Sequence, residues 1–194
     1  MARLTRAYRL AQSAAVAEAL PGINRLWPLL DRDEQLWLSG ALELIQQGRE
    51  RSSHMAVSYL RAFADLYGVD VPVEALGSSP ADAAMIIVSL RATGPAWRAK
   101  MARNHAFEYA DQAARRKVLG SAMRQMLDGG RQTLLSAIDG RDDLGWRRVG
   151  SPGACDYCRT YLTGDVIHGE AGRGYDFPVH DNCSCTVEPV FMGP

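Results

Sequence analysis

All four cysteines of the chain lie in one short stretch near its carboxyl end, between residues 155 and 185. The first two form a C-x2-C motif, and the other two follow a histidine in an H-x2-C-x-C motif; the five residues are Cys155, Cys158, His180, Cys183 and Cys185. Zn²⁺ prefers thiolate sulfur and imidazole nitrogen in a tetrahedron, and a C-x2-C turn presents two sulfurs to one ion. The spacing therefore predicts a metal site built from two half-sites.

Five candidate ligands exceed the four that a structural zinc site uses. Cys155 and Cys158 are the first expected ligands, followed by His180. Cys183 and Cys185 compete for the last position, or all four cysteines bind and His180 supports them from outside the coordination sphere. Two disulfides are the alternative use of four thiols, but no secretory signal indicates an oxidising compartment. We predict structural Zn²⁺, because a cysteine-rich site usually closes whereas a catalytic one keeps an open position.

Composition indicates a soluble globular protein made in the cytoplasm. The chain has 194 residues, of which 47% are hydrophobic, enough for a substantial core. Its 22 basic and 22 acidic residues balance, so no overall positive field attracts nucleic acid. The longest apolar run, residues 83–90, is too short to span a bilayer, and we expect no membrane partner.

Apolar residues recur at spacings of three and four along the first two thirds of the chain, which predicts helices. The predicted helices span residues 4–19, 34–67, 80–93 and 96–139. Glycine and proline end or kink helices, and the expected positions are Pro21-Gly22, Gly48, Gly68, Gly94-Pro95 and Gly129-Gly130. His54 and His105 are expected to be surface residues.

The pattern changes after residue 144, where short strands are predicted over residues 146–149, 166–167 and 186–191 and one helical turn over residues 157–162. We therefore predict a mainly α fold, with a helical N-terminal two-thirds and a small zinc-stabilised α+β module at the carboxyl end. The expected regions are an N-terminal helical hairpin (1–78), a second helical region (79–144) and the zinc-binding module (145–194).

Evidence for catalysis or nucleic-acid binding is sparse. The chain contains no nucleophile-elbow, phosphate-loop, dinucleotide or zinc-protease motif. Asp165 and His168 are the only candidates for a metal-dependent hydrolase, and one loop histidine is weak evidence. Residues 98–131 carry eight basic and three acidic residues, but residues 132–194 carry nine acidic and five basic ones. A zinc ribbon that reads DNA is expected to carry net positive charge, so the net negative charge of residues 132–194 argues against that function.

The carboxyl end resembles the ending of MuF-like minor head proteins of tailed bacteriophages, in the small form found in phages of actinobacteria. The resemblance rests on Gly145-Trp-Arg-Arg-Val149, on Ala154-Cys-Asp-Tyr-Cys158, and on the run from His180 to Phe191. Its most specific part is the H-x2-C-x-C-T ending followed by a strand that contains proline. The N-terminal half is similar more loosely, and residues 159–165 depart from the small-residue helix of the family.

The resemblance implies a virion structural protein, present in few copies inside the head and associated with the portal. Such a protein aids head assembly or DNA ejection. The expected partners are the portal and/or major capsid protein, with packaged DNA as a weak further contact and oligomerisation within the virion. The alternatives are a capsid maturation protease or another metal-dependent hydrolase, and a nucleic-acid-binding zinc module. No protease dyad or triad is recognisable, so we do not expect an enzyme.

Overall fold

Helices form most of the structure, and a small sheet follows them at the carboxyl end. The computed structural model describes residues 1–71, 83–150, 155–160, 164–168, 177 and 179–193. The helices are α1 (Ala2–Leu26), α2 (Glu34–Tyr67), α3 (Ala83–Thr93), α4 (Pro95–Met101), α5 (Phe107–Ile138) and α6 (Asp156–Thr160). The strands are β1 (Leu144–Val149), β2 (Ile167–His168) and β3 (Thr186–Phe191). The predicted mainly α fold with a small C-terminal β region is confirmed.

Helix α1 is longer than predicted, because it continues through Pro21 to Leu26. A proline inside a helix costs about 3 kcal/mol, since it removes one hydrogen bond and its ring meets the preceding turn. The next turn buries Ile23 and Trp27, which are only 1% and 5% exposed. Burial of these two large side chains opposes the cost of the proline. The prediction that Pro21-Gly22 ends the helix is therefore wrong.

Three glycines that were predicted to kink or interrupt helices lie instead where helices cross. A Cβ atom on Gly48 of α2 would lie 2.5 Å from Met126 of α5. A Cβ atom on Gly129 would lie 2.2 Å from the carbonyl oxygen of Arg49, and one on Gly130 would lie 2.3 Å from a glutamine of α1. The glycines thus allow α1, α2 and α5 to approach closely, and α2 and α5 remain continuous.

The predicted helix over residues 96–139 is divided by a turn at residues 102–106. Ala106 is extended, with φ −58° and ψ 149°, so α5 starts in a new direction. The turn brings Arg98 of α4 to 3.1 Å from Asp111 of α5. The sequence contains no glycine or proline at this turn, which explains why the pattern did not reveal it.

Two groups of buried side chains form the interior, and α2 and α5 contribute to both. The first, which we call the helical core, includes Trp27, Trp37, Ile45, Ile86 and Leu90. The second, the junction core, joins α1, α2 and α5 to the sheet. It includes Phe63, Leu134, Trp146, Val187 and three of the cysteines.

The described strands form one antiparallel sheet in the order β2-β1-β3. Leu144 of β1 pairs with Phe191 of β3, and Val149 pairs with Thr186 at the other end. The first four residues of β3 are buried, and this strand packs against the helices. It also follows directly after the H-x2-C-x-C motif, which places that motif at the edge of the helical body.

No helix in the described part of the chain is long and apolar enough to cross a bilayer. The predicted helix start at Pro80 lies outside the described residues. The division into regions 1–78, 79–144 and 145–194 stays a prediction.

Candidate metal centre

The C-x2-C half-site lies at the start of α6. Cys155 precedes the helix and is exposed, whereas Cys158 in its first turn is buried. The backbone N–H of Cys158 points to the sulfur of Cys155 at 3.5 Å. The helical turn thus places both sulfurs on one side of the backbone, as the motif predicts.

The H-x2-C-x-C half-site is a tight turn that leads into β3. The backbone N–H of Cys183 donates to the carbonyl of His180 at 3.0 Å and closes the turn. Asn182 has a positive φ of 66°, a conformation that asparagine tolerates better than most residues. Cys183 and Cys185 are both buried. Because side chains alternate along extended chain, residues two apart can face the same side.

The structure brings the two half-sites together. The Nε2 atom of His180 lies 2.9 Å from the sulfur of Cys155 and 3.1 Å from that of Cys158. The sulfurs of Cys158 and Cys183 are 3.6 Å apart. The donor atoms form two triads, each with all its atoms within 4.8 Å of one another. The first triad is Cys155, Cys158 and His180, and the second is Cys158, Cys183 and Cys185.

These triads could hold a metal ion, and their donor atoms suit zinc. With Zn–S bonds of about 2.3 Å, a tetrahedral site separates its sulfurs by about 3.8 Å. The distance of 3.6 Å between Cys158 and Cys183 is close to that value. It is far longer than the S–S bond of a disulfide, which is about 2.05 Å. All four cysteines are described, and all four are free thiols.

The ring of His180 is held in the orientation that a metal ligand needs. Its Nδ1 atom lies 2.6 Å from the backbone carbonyl of Asp181, which can only accept a hydrogen bond. A hydrogen bond from Nδ1 to this carbonyl would hold the ring with Nε2 towards the sulfurs, as a metal ligand requires. The ring of Tyr157 meets the imidazole edge-on, with centroids 5.3 Å apart.

The three thiols of the second triad cannot all ionise easily without a cation. The pKa of Cys183 is lowered, chiefly by a hydrogen bond from Cys185 and also by the charge of Arg131. The pKa of Cys185 is raised by that same hydrogen bond and by burial, and burial raises the pKa of Cys158. Ionisation of one thiol of the triad is thus favoured, and the negative charge of that thiolate opposes ionisation of a second thiol. A divalent cation would remove that opposition.

Helix α5 contributes residues to this site that the sequence motif did not reveal. Arg131, only 1% exposed, donates from Nη2 to the carbonyl of Cys183 at 2.7 Å and from Nε to that of Cys185 at 2.9 Å. The backbone N–H of Asn182 donates to the carbonyl of Gly120 at 3.2 Å. No local pattern marks an arginine as buried, and these partners are far apart in the sequence.

The other candidate residues lie elsewhere. His168 is in β2, paired through its backbone with Gly145, and Asp165 is exposed in the segment before β2. His54 and His105 are exposed, as predicted. Five of the eight basic side chains in residues 98–131 have polar or charged partners within the chain, namely Arg98, Arg115, Lys117, Arg124 and Arg131.

The chain matches a known protein family. A family model described as VG15 protein matches residues 2–194, nearly the whole chain. The match indicates a phage-encoded protein. No curated protein and no solved structure matches the chain significantly.

Proposed function

Because the chain belongs to the VG15 protein family, we propose that it is a structural minor head protein of a tailed bacteriophage. In this proposal it lies inside the head, associates with the portal, and aids head assembly or DNA ejection. The observation that carries the proposal is the extent of the family match, which includes the helices as well as the cysteine-rich module. The resemblance of the carboxyl end to MuF-like proteins supports the same role.

We assign the metal centre a structural role with Zn²⁺ as the ion. Cys158, Cys183 and Cys185 are buried in the junction core, beside apolar side chains of the helices and the sheet. Three thiolates with one imidazole, or four thiolates, fill a tetrahedral site and leave no open position for a substrate. In this role the metal joins α6 to β3 and holds both against the helical body, and the protein is not an enzyme.

The proposed partner is the portal and/or the major capsid protein, and the helices offer surfaces for it. Four large apolar side chains on α3 and at the start of α5 are at least half exposed; they are Met85, Val88, Phe107 and Tyr109. Exposed apolar side chains of this size are used in protein–protein contacts.

Internal pairing of the basic stretch argues against nucleic-acid binding as the main role. Arg98 lies 2.5 Å from Asp31 and 3.1 Å from Asp111, and Lys117 and Arg124 both lie near Asp181. Side chains that already neutralise carboxylates contribute less to phosphate binding. Packaged DNA therefore stays a weak further contact in the proposal.

The test is to purify particles of the phage that encodes this chain and to quantify its peptides by mass spectrometry against the major capsid protein. We expect the protein in mature particles or in procapsids, at a few copies per portal. Chemical cross-linking of the same particles should join its helices to the portal or capsid protein. Absence from both kinds of particle, with normal expression in infected cells, would reject a structural role.

A further inference from the structure

Arg131 is among the largest fully buried side chains of the described residues, and it is charged. Its guanidinium donates to three groups at short distance: the carbonyls of Cys183 and Cys185, at 2.7 and 2.9 Å, and Asp128 Oδ1, at 2.6 Å. A further contact reaches the carbonyl of Arg124 at 3.4 Å. The group also lies 5.6 Å from the ring of Phe177. Burying such a cation is costly unless its surroundings compensate its charge.

The two carbonyl contacts fix the geometry of the C-x-C segment. The carbonyls accept from the planar fork of one guanidinium and thereby hold the backbone on both sides of Ser184. A rigid fork of this kind fixes two acceptors in one plane, whereas a lysine ammonium offers freely rotating donors without that geometry. The sulfurs of Cys183 and Cys185 lie in one triad with that of Cys158. The orientation of two metal donors therefore depends on an arginine that binds no metal.

The charge of Arg131 also matches the chemistry of the site. Zn²⁺ bound by three thiolates and one imidazole carries a net charge of minus one, and with four thiolates it carries minus two. Asp128 pairs with Arg131 but also lies 3.9 Å from Arg124, so it is shared between two cations. A buried cation that donates hydrogen bonds to the backbone carbonyls of Cys183 and Cys185 lowers the cost of placing a negative complex in the core.

We infer that Arg131 is a positioning residue of the metal centre: it holds the C-x-C donors towards Cys158 and balances the negative charge of the metal–thiolate complex. This inference rests on the metal-binding part of the proposed function and is independent of the location in the virion. It makes α5 an integral part of the site, although α5 supplies no ligand.

Helix α5 also offers a matched control. Lys117 of α5 forms an ion pair with Asp181 at 3.6 Å and is one-third exposed, but it contacts no metal donor. Lys117→Gln therefore removes one positive charge of α5 near the loop without changing the hydrogen bonds to Cys183 and Cys185. The two informative variants are Arg131→Met and Arg131→Lys. The first removes both the positive charge and the planar guanidinium donors, whereas the second keeps the positive charge but not the planar donors.

The experiment measures the Zn²⁺ affinity of each purified variant by competition with a chromophoric chelator, and records the absorption bands of the Co²⁺-substituted protein. Loss of a residue that orients ligands typically weakens metal affinity by about 10- to 100-fold. We expect Arg131→Met to fall in that range with altered Co²⁺ bands, Arg131→Lys to lie between it and wild type, and Lys117→Gln to stay within about twofold.

Unchanged affinity and Co²⁺ bands in a folded Arg131→Met variant would overturn the inference. If circular dichroism shows that Arg131→Met does not fold, Arg131→Lys decides: weaker binding with altered bands supports the positioning role, and wild-type behaviour overturns it. If the wild-type chain itself binds no Zn²⁺, both the proposed structural zinc site and this inference are rejected. None of these outcomes bears on whether the protein is present in phage particles.

Discussion

At the residue scale, Cys158 is the donor on which both triads depend. It is only 2% exposed, and it belongs to the set with Cys155 and His180 as well as to the set with Cys183 and Cys185. Cys155 belongs to one set only and is exposed. Substituting Cys158 therefore breaks both triads, whereas substituting Cys155 leaves the second intact.

We expect Cys158→Ser to lose stoichiometric Zn²⁺ binding and Cys155→Ser to retain weakened binding. Serine keeps the size of the side chain but does not supply a thiolate at neutral pH, and zinc sites of this type require thiolates. The measurement is zinc per chain by mass spectrometry after dialysis against a weak chelator. Equal zinc content in the two variants would contradict the arrangement of two triads that share Cys158.

The cluster of candidate ligands could be predicted from the sequence, but the residues that support it could not. Cysteine and histidine at short, fixed spacings are a local signal that survives any uncertainty about the fold. Arg131 has no such signal, because its role depends on α5 passing behind the turn at Cys183. The sequence shows only an arginine after two glycines, at the end of a stretch rich in basic residues.

Two buried tyrosines make alkaline stability a second test at this scale. Tyr8 and Tyr59 stack with ring centroids 4.6 Å apart, and burial raises the pKa of both hydroxyls above the ordinary value of 10.0. Below that value both folded and unfolded states hold the protons, so their contribution to stability is complete. Above pH 10 the unfolded state loses protons first, and the free energy of unfolding falls as pH rises.

We therefore expect these two tyrosines to resist ionisation in the native protein, while exposed tyrosines titrate near pH 10. Absorbance of tyrosinate at 295 nm, followed against pH with circular dichroism as the check on folding, measures this directly. In Tyr8→Phe the number of resistant groups should fall by one. Titration of all seven tyrosines near pH 10 with the fold intact would show that the pair is not buried as described.

At the element scale, helix lengths follow tertiary packing more than local propensity. The periodic apolar pattern predicted α2 well, including its end at Gly68, which adopts a φ of 63°. The same reasoning failed at Pro21, Gly48 and Gly129-Gly130, where glycine or proline lies inside a continuous helix. A single sequence cannot distinguish a glycine that breaks a helix from one that allows a second helix to approach, because the difference lies in the partner.

Gly129 provides the sharpest test of that distinction. Alanine there would gain about 1 kcal/mol of helix propensity. Its Cβ atom would, however, lie 2.2 Å from the backbone oxygen of Arg49, and backbone cannot move aside as a flexible side chain can. We expect Gly129→Ala to lower the free energy of unfolding by about 1 to 3 kcal/mol, the usual cost of overpacking.

Gly22→Ala is the matched control, because the nearest atom to the new Cβ atom in α1 would be the end of the flexible Leu44 side chain, at 3.0 Å. We expect its stability to stay near wild type. Denaturant unfolding of the two variants in parallel gives the comparison. A Gly129→Ala variant as stable as Gly22→Ala would mean that α2 and α5 do not cross closely at this point.

At the scale of the whole molecule, α2 and α5 run through both cores and connect the metal centre to the far end of the helical body. The junction core contains three of the five candidate metal donors, beside Phe63 and Leu134. The helical core, which includes Trp37 and Ile86, contains none of the five candidate metal donors. The metal should therefore affect the two cores unequally, although the same helices pass through both.

Removal of the metal provides the test of this division. With a strong chelator, we expect peptides over β1, α6 and β3 to gain hydrogen exchange, because their backbone hydrogen bonds depend on the half-sites being held together. Peptides from the first half of α2 and from α3 should stay protected, because Trp37, Ile45 and Leu90 pack there without contact with the donors. Hydrogen exchange followed by mass spectrometry, with and without chelator at equal pH, measures both regions in one sample. Equal gains throughout would show that the metal stabilises the entire chain as one cooperative unit, and no gain at β1 and β3 would show that the sheet is held by the helices alone.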